Sequence, residues 1–315
     1  MMSEPSLDLQ RPPFRLWQGF LETAFERRFQ RLLQSAWQNR SWHVIGAVPG
    51  CGKSLGIHDL IIHSAPSKAV TGVTRLPVLA IRAPKNESRE HALAGALCAA
   101  FGKTPNVPLA VRRTWLVEVM ASASVECLII DDAQDLNLAH LALLKELTDN
   151  LAAPPYQRQI GLCLVVAHSG SALPLKEVFS RPDTLWRQFR RRLDTERPFC
   201  IVLGHTADEV SDILATLEDL YRDQFPDLHL SRWAHSFFTW LTNPILDIES
   251  TGRVTMDHLI RLVNAALKRT YEESKTDVTA EILQMIAELM ILRRGEITVI
   301  GDLPTPSAVP VKEVG

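Results

Sequence analysis

The chain has 315 residues, 46% of them hydrophobic, enough for a sizeable core and for more than one folded unit. Its 34 Lys+Arg against 36 Asp+Glu leave a net charge of −2, which excludes a global pull toward nucleic acid or an anionic membrane, so any such contact must come from a local patch. Cys51, Cys98, Cys127, Cys163 and Cys200 are scattered without metal-ligand spacing or a disulfide framework, and no run is apolar for long enough to span a bilayer or resembles a signal-peptide core; a cytoplasmic protein is expected.

Residues 1–13 are polar and contain proline. From Phe14 to Asn39 apolar residues recur at helical spacing (Leu16, Phe20, Phe25, Phe29, Leu32, Leu33, Trp37), interleaved with Arg27, Arg28, Arg31 and Arg40, which predicts an amphipathic helix. A short apolar strand, His43–Ile45, then runs into Gly46-Ala47-Val48-Pro49-Gly50-Cys51-Gly52-Lys53-Ser54-Leu55, and a helix is expected from Ser54 to about Ser64. Strand, glycine-rich turn and helix in this order are the layout of a phosphate-binding loop. Backbone N–H groups of Gly50, Cys51, Gly52 and Lys53 can converge on an anion at the positive end of the helix, provided the loop side chains are small. Lys53 would reach the β- and γ-phosphates and the Ser54 hydroxyl would ligate Mg²⁺, with Ala47 to Leu55 as the nucleotide-binding stretch. The full pattern asks for glycine five residues before Gly52; Ala47 stands there, and Gly46 lies one position earlier.

Val78–Arg82 reads as a second strand, Ser88–Phe101 and Val111–Ser122 as helices, and Glu126–Asp132 as a third strand with acids at its carboxyl end. Leu136–Leu151 is expected helical, Ile160–Ala167 a fourth strand, and, after a basic segment, Phe199–Leu203 a fifth. Strands apolar throughout that alternate with helices predict an α/β fold with a parallel sheet covered on both faces and ligands at the carboxyl ends of the strands. Asp131 would hold Mg²⁺ and Asp132 would orient or deprotonate an attacking water. Glutamate is usual at the second position; Asp132 is one methylene shorter, and slow hydrolysis is expected. From Thr206 the pattern is helical only, with a capping-box start at Thr206-Ala-Asp-Glu209 and helices near 207–224, 231–242, 255–273 and 279–293. The stretch from Gly295 carries Pro304, Pro306 and Pro310 and is expected to be extended or disordered, a flexible tail. The expected organisation is an N-terminal tail and amphipathic helix (1–40), a nucleotide-binding α/β domain (41–204), a helical lid domain (205–294) and a proline-containing tail (295–315).

These residues resemble an AAA+ ATPase and, more narrowly, the transposition regulators of the TniB/TnsC type, relatives of the phage Mu B protein. The resemblance covers about residues 20–275. It rests on Ala47–Ser54, on Leu128-Ile-Ile-Asp-Asp-Ala-Gln-Asp135, on the strand ending Val165-Val166-Ala167-His168-Ser169, on Phe189-Arg190-Arg191 and on Thr251-Gly252-Arg253. It implies a three-layer P-loop domain with a central parallel five-stranded sheet and a small all-α C-terminal lid. His168 or Ser169 would be the polar sensor of the γ-phosphate. Arg190 or Arg191, with Arg187 behind, would be the finger offered to a neighbouring subunit, a task that suits an always-charged guanidinium. Arg253 would be a second sensor from the lid. The resemblance further implies ATP and Mg²⁺ as cofactors and a homo-oligomeric ring or helical filament around double-stranded DNA, held through its backbone. By region, Lys85, Arg89, Lys103, Thr104, Arg112 and Arg113 would make those contacts, repeated by many subunits. A transposase and a target-selection protein or guide-RNA complex would be the partners, with no role for a membrane. Two other readings share the loop: a helicase-loader-type AAA+ ATPase, against which stands the lack of an aromatic platform for single strands, and an ATP-gated scaffold that hydrolyses little, which Ala47 and Asp132 keep open.

Overall fold

A computed structural model describes residues 14–17, 19–64, 75–85, 90–103, 107–168, 173–180 and 184–292. Five parallel strands, β1 (Trp42–Ala47), β2 (Val78–Arg82), β3 (Cys127–Asp131), β4 (Gly161–Ala167) and β5 (Phe199–Val202), lie in the order β2-β3-β4-β1-β5. Both faces of the sheet are buried, and the two-residue repeat of the strands divides their side chains between two cores. Leu128 and Ile130 of β3 face one core, together with Leu162, Leu164 and Val166 of β4. Cys127 and Ile129 face the other, with Cys163 and Val165. The first core is closed by α3 (Glu90–Ala100), α4 (Leu109–Ser122) and α5 (Leu138–Ala152), joined by Phe179, Trp186 and Phe189 from α6 (Lys176–Phe179) and α7 (Thr184–Arg190). The second is closed by α1 (Ala24–Asn39) and α2 (Lys53–His63). Four of the five cysteines are buried, so they pack as small apolar groups.

The expected helix from Phe14 starts only at Ala24. Thr23 accepts from Glu26 N at 3.2 Å and caps α1. Residues ahead of it follow a different partner: Phe14, Trp17 and Leu21 pack on the helical region, and Trp17 N donates to the Tyr221 hydroxyl at 2.9 Å. α1 approaches β4 closely; a Cβ on Gly161 would sit 2.2 Å from the Ala36 carbonyl oxygen, so only glycine allows the contact.

The helical region has its own core, built from α8 (Ala207–Tyr221), α9 (Ala234–Leu241), α10 (Met256–Glu272) and α11 (Ala280–Leu292). The expected capping box of α8 is present, with Thr206 and Glu209 exchanging side-chain and backbone bonds. The region is fastened to the segment leaving β5 by backbone bonds between His205 and Val254 (2.8 and 3.0 Å) and to α1 by the ion pair of Arg28 with Glu209. The expected segment at 231–242 is a short 3-10 turn, Ser231–Trp233, followed by α9.

Candidate nucleotide site

The loop after β1 turns on two glycines in left-handed backbone, Gly50 (φ +81°) and Gly52 (φ +103°), a region in which a side chain would be strained. Gly52 precedes the first turn of α2, whose free N–H groups and positive dipole end face the loop concavity. Lys53 is 9% exposed and donates to the carbonyls of Ala47 at 3.0 Å and Val48 at 3.4 Å. Burial lowers its pKa, with Cys51, Asp131 and Asp132 pulling the other way. The ammonium is therefore held inside the loop by neutral acceptors only, and an anion there would be a stronger partner. Burial also pushes the Cys51 thiol up to about 11, so it stays neutral in the loop.

β1 and β3 flank β4, and their parallel register brings the ends of both strands to one edge of the sheet. There the Ser54 hydroxyl donates to Asp131 Oδ2 at 2.7 Å. No group of three or more His, Cys, Asp or Glu side chains fit to hold a metal occurs among the described residues. Ser54 and Asp131 supply two hard oxygen donors, the kind Mg²⁺ takes when phosphate and water complete its shell. The residues present thus fit a nucleotide with Mg²⁺: glycines where phosphates must come close, a buried ammonium without an anionic partner, and an oxygen pair beside it.

Asp132 has left-handed backbone (φ +53°). Its carboxylate is engaged: Arg82 Nε donates to Oδ2 at 2.5 Å, Gln134 Nε2 donates to Oδ1 at 3.3 Å, and the Arg82 guanidinium forms an ion pair with it. Burial raises its pKa, but the bonds from Arg82 and Gln134 outweigh this and hold the carboxyl below its ordinary range. Gln134 also accepts from Ala167 N at 2.9 Å, tying the acid to the end of β4. There His168 is 4% exposed, its backbone N–H donates to the Ala47 carbonyl at 3.0 Å, and its Nδ1 has no partner among the described residues. The alternative sensor, Ser169, lies outside the described residues.

The arginines are distributed differently from the loop residues. Trp186 and Phe189 are buried against Phe179 and Trp42, which leaves Arg187 and Arg190 exposed on α7. Arg191 lines a cavity of about 830 Å³ with Trp42 and His43, at the amino edge of the sheet and opposite the phosphate loop. Arg192 stacks on Trp42 and bonds to Thr148 at 3.0 Å and to Asp149, a packing role. Arg253 lines a groove against β5 with Arg28 and Gly204. The α10 residue that meets the phosphate loop is Asp257 instead: its N–H donates to the Gly50 carbonyl at 2.9 Å, and a Cβ on Gly50 would lie 3.0 Å from its Cβ.

Of the residues expected at DNA, Arg89 and Thr104 lie outside the described residues. Lys85 and Lys103 are exposed, Lys103 over the Trp115 ring at 5.6 Å. Arg112 donates to the Val107 carbonyl at 3.1 Å, and Arg113 joins Glu90 to Glu146. Arg113 thus braces α3, α4 and α5 within the subunit, while Arg112 ties α4 to the turn before it. Residues the sequence did not single out are Arg82, Gln134, Asp257 and Glu26. Glu26, on α1, is 4% exposed, and a Cβ on Gly52 would be 3.6 Å from its Oε2. Its Oε1 has no partner among the described residues, and burial lifts its pKa to about 7. Their signal is the pairing of elements distant in sequence, which no local pattern carries.

The sheet order, the loop after β1, the acids at the end of β3 and the helical region define a P-loop protein of the AAA+ fold. Residues 38–175 match the family model described as AAA domain. Among solved structures, the Aeropyrum pernix ORC2 protein in its ADPNP-ADP complexes is similar with a TM-score of 0.55 and 12% identity, over 84% of this chain and 66% of that one. The Aeropyrum pernix ORC1 protein in complex with DNA gives 0.51 and 15%, over 85% and 64%. Drosophila ORC bound to DNA gives 0.53 and 14%, over 85% and 61%. The chain spans just under two thirds of the length of these structures, and at such identities the likeness is one of fold. No curated protein matches the sequence.

Proposed function

We propose that this chain is an ATP-dependent, DNA-binding AAA+ regulator of transposition of the TniB/TnsC kind. It assembles on duplex target DNA as a ring or filament, links target selection to transposase recruitment, and disassembles on hydrolysis. The observation that carries the reading is the separation of charge within one subunit. Lys53, Ser54 and Asp131 stand ready at one edge of the sheet, while Arg191 lies at the opposite edge. An arginine there cannot serve its own loop but can serve the loop of a neighbour, so a complete site implies assembly. In that site the loop N–H groups and Lys53 would hold phosphate oxygens, Ser54 and Asp131 would hold Mg²⁺, and Asp132 would orient water or take its proton. Mg²⁺, when bound, would neutralise charge on the phosphates. That two structures of like fold hold DNA supports the choice of ligand. Electron microscopy with duplex DNA and a slowly hydrolysed ATP analogue tests the reading: nucleotide-dependent rings or filaments are expected, and their absence with every nucleotide would refute it.

One observation favours a second reading, an ATP-gated scaffold with little hydrolysis. The Arg82 ion pair holds Asp132 as a weak base. Phosphate release at saturating duplex DNA separates the two: turnover favours the regulator that disassembles, and negligible release with normal nucleotide binding favours the scaffold.

A further inference from the structure

The sequence interleaves arginines with the apolar residues of α1, and the phosphate loop uses none of them. Arg28, Arg31, Leu32, Ser35 and Asn39 follow one another at three- and four-residue steps, so they share one face of the helix. Two openings lie along that face. At the Arg28 end is a groove of about 560 Å³ that reaches Arg253; at the Asn39 end is the cavity of about 830 Å³ at the amino edge of the sheet. Arg31, Leu32 and Arg197 line both, so the two form one continuous trough along α1. From Arg28 to Asn39 it is about 16 Å long, at about 1.5 Å per helical residue.

The charges of the trough do not cancel. Arg28 pairs with Glu209, Arg40 with Glu126 and Arg192 with Asp149. Arg31, Arg191, Arg197 and Arg253 have no acidic partner among the described residues. Of the two acids on the walls, Asp194 is engaged: its Oδ1 accepts from the backbone N–H groups of Glu196 and Arg197 at 3.0 and 2.7 Å, and its Oδ2 lies 3.8 Å from His43 Nε2. Glu196 is the other, one carboxylate against four guanidiniums. Ser35, Asn39, Ser41 and Thr195 add neutral hydroxyl and amide donors. Trp42 is 4% exposed and lies under the Arg192 guanidinium, 5.0 Å from its ring. Guanidiniums, hydroxyls and amides are the groups that contact phosphate and sugar. Without an open aromatic face the trough has no platform for unpaired bases, and without a deep apolar pocket it has no anchor for a peptide.

We propose that this trough is a duplex-DNA site that seats the phosphates of one strand, with Arg31 and Arg197 as its central contacts and Arg253 at its end. Each guanidinium can bridge two phosphate oxygens, and about 16 Å of trough spans about five phosphates at about 3.4 Å of rise each. The site rests on the reading of the chain as a duplex-DNA binder. It moves the contact from the carboxyl edge of the sheet, where Lys85 follows β2, to the outer face of α1 and the amino edge. Arg191 lines the cavity and not the groove, so a strand on Arg31, Arg197 and Arg253 leaves it to a neighbouring subunit.

Fluorescence anisotropy of a labelled mixed-sequence duplex, with the full-length chain and a slowly hydrolysed ATP analogue, tests this between about 50 and about 200 mM salt. Arg31→Gln and Arg197→Gln together should weaken binding about tenfold and lower the slope of log affinity against log salt by about 2, one for each lost phosphate contact. Both side chains are exposed, so the melting temperature and nucleotide affinity should stay native. Lys85→Gln with Lys103→Gln should leave the slope nearly unchanged. The reverse pattern, a native slope without the two arginines and a reduced one without the two lysines, overturns the proposal and leaves the DNA-binding reading intact. A native chain that binds no duplex with any nucleotide ends both. Assembly without DNA, read by sedimentation with the analogue, should be native in the double arginine variant; its loss would give the arginines to the subunit interface and overturn the site. Labelled polyglutamate that binds the native chain more tightly than the duplex does, and spares the variant, would assign the trough to an acidic protein and overturn it as well.

Discussion

Glu26 offers the sharpest test of how the sheet and the phosphate loop are packed. Its carboxyl lies between α1 and the first turn of α2, 4% exposed, with Oε1 unpartnered among the described residues, and a Cβ added to Gly56 would lie only 2.0 Å from that atom. Burial, helped by Asp59 and Glu22 and opposed by the Gln30 hydrogen bond, lifts its pKa from 4.5 to about 7. The folded state therefore holds this proton more tightly than the unfolded chain. Stability from this group is fully present below the unfolded value and is lost as pH rises through the folded one. Between pH 8 and pH 5 the difference amounts to about 2.5 kcal/mol, at about 1.4 kcal/mol per pKa unit. Glu26→Gln removes the ionisation. Urea unfolding of both proteins at several pH values should show the native chain gaining about 2.5 kcal/mol relative to the variant on going from pH 8 to pH 5. The variant should be the more stable of the two at pH 8. Parallel pH dependences would show that Glu26 is hydrated or paired in solution and would refute the reasoning. Phosphates near Gly52 would raise the pKa further, so nucleotide binding above pH 7 should take up protons, a quantity calorimetry in buffers of different ionisation enthalpy measures.

Three more outcomes follow from the site. Gly50→Ala forces a side chain into left-handed backbone against Asp257 and should cost about 1–2 kcal/mol in thermal or urea unfolding, and weaken nucleotide binding as well. Arg82→Ala leaves Asp132 with Gln134 as its side-chain donor, so the acid becomes a stronger base; DNA-stimulated phosphate release should rise several-fold, and a fall would assign Arg82 to the nucleotide rather than to Asp132. Lys53→Ala, and a double Arg190→Ala, Arg191→Ala variant, should each lack turnover alone. A one-to-one mixture should recover about a quarter of native activity per subunit, because a quarter of head-to-tail interfaces then join an intact loop to intact arginines. No recovery would count against a finger supplied by a neighbour.

Elements built from local pattern were legible. β2 begins and ends at the predicted residues, Val78 and Arg82, because a short apolar run between turn signals has one way to be buried. The loop around Gly50 and Gly52, and the capping box at Thr206, were readable because each depends on residues a few positions apart. The start of α1 was misread for the opposite reason. Phe14 and Trp17 keep a helical spacing but are drawn off by Tyr221 and Phe225, some two hundred residues on, and no window in the sequence contains both partners.

The sequence by itself determined the chemistry available: glycines for close phosphate approach, Lys53, Ser54 and the acid pair, on strands apolar enough to be buried on both faces. The tertiary structure alone decided how that chemistry is poised. The neighbourhood of β2 and β3 brings Arg82 to Asp132, the docking of α10 puts Asp257 rather than Arg253 on the loop, and α1 buries Glu26 beneath it. Composition and spacing specify which groups a segment carries and which faces must be hidden. The strand order and helix docking that hide those faces set the distances, and electrostatics depends on distance and burial rather than on position in the chain.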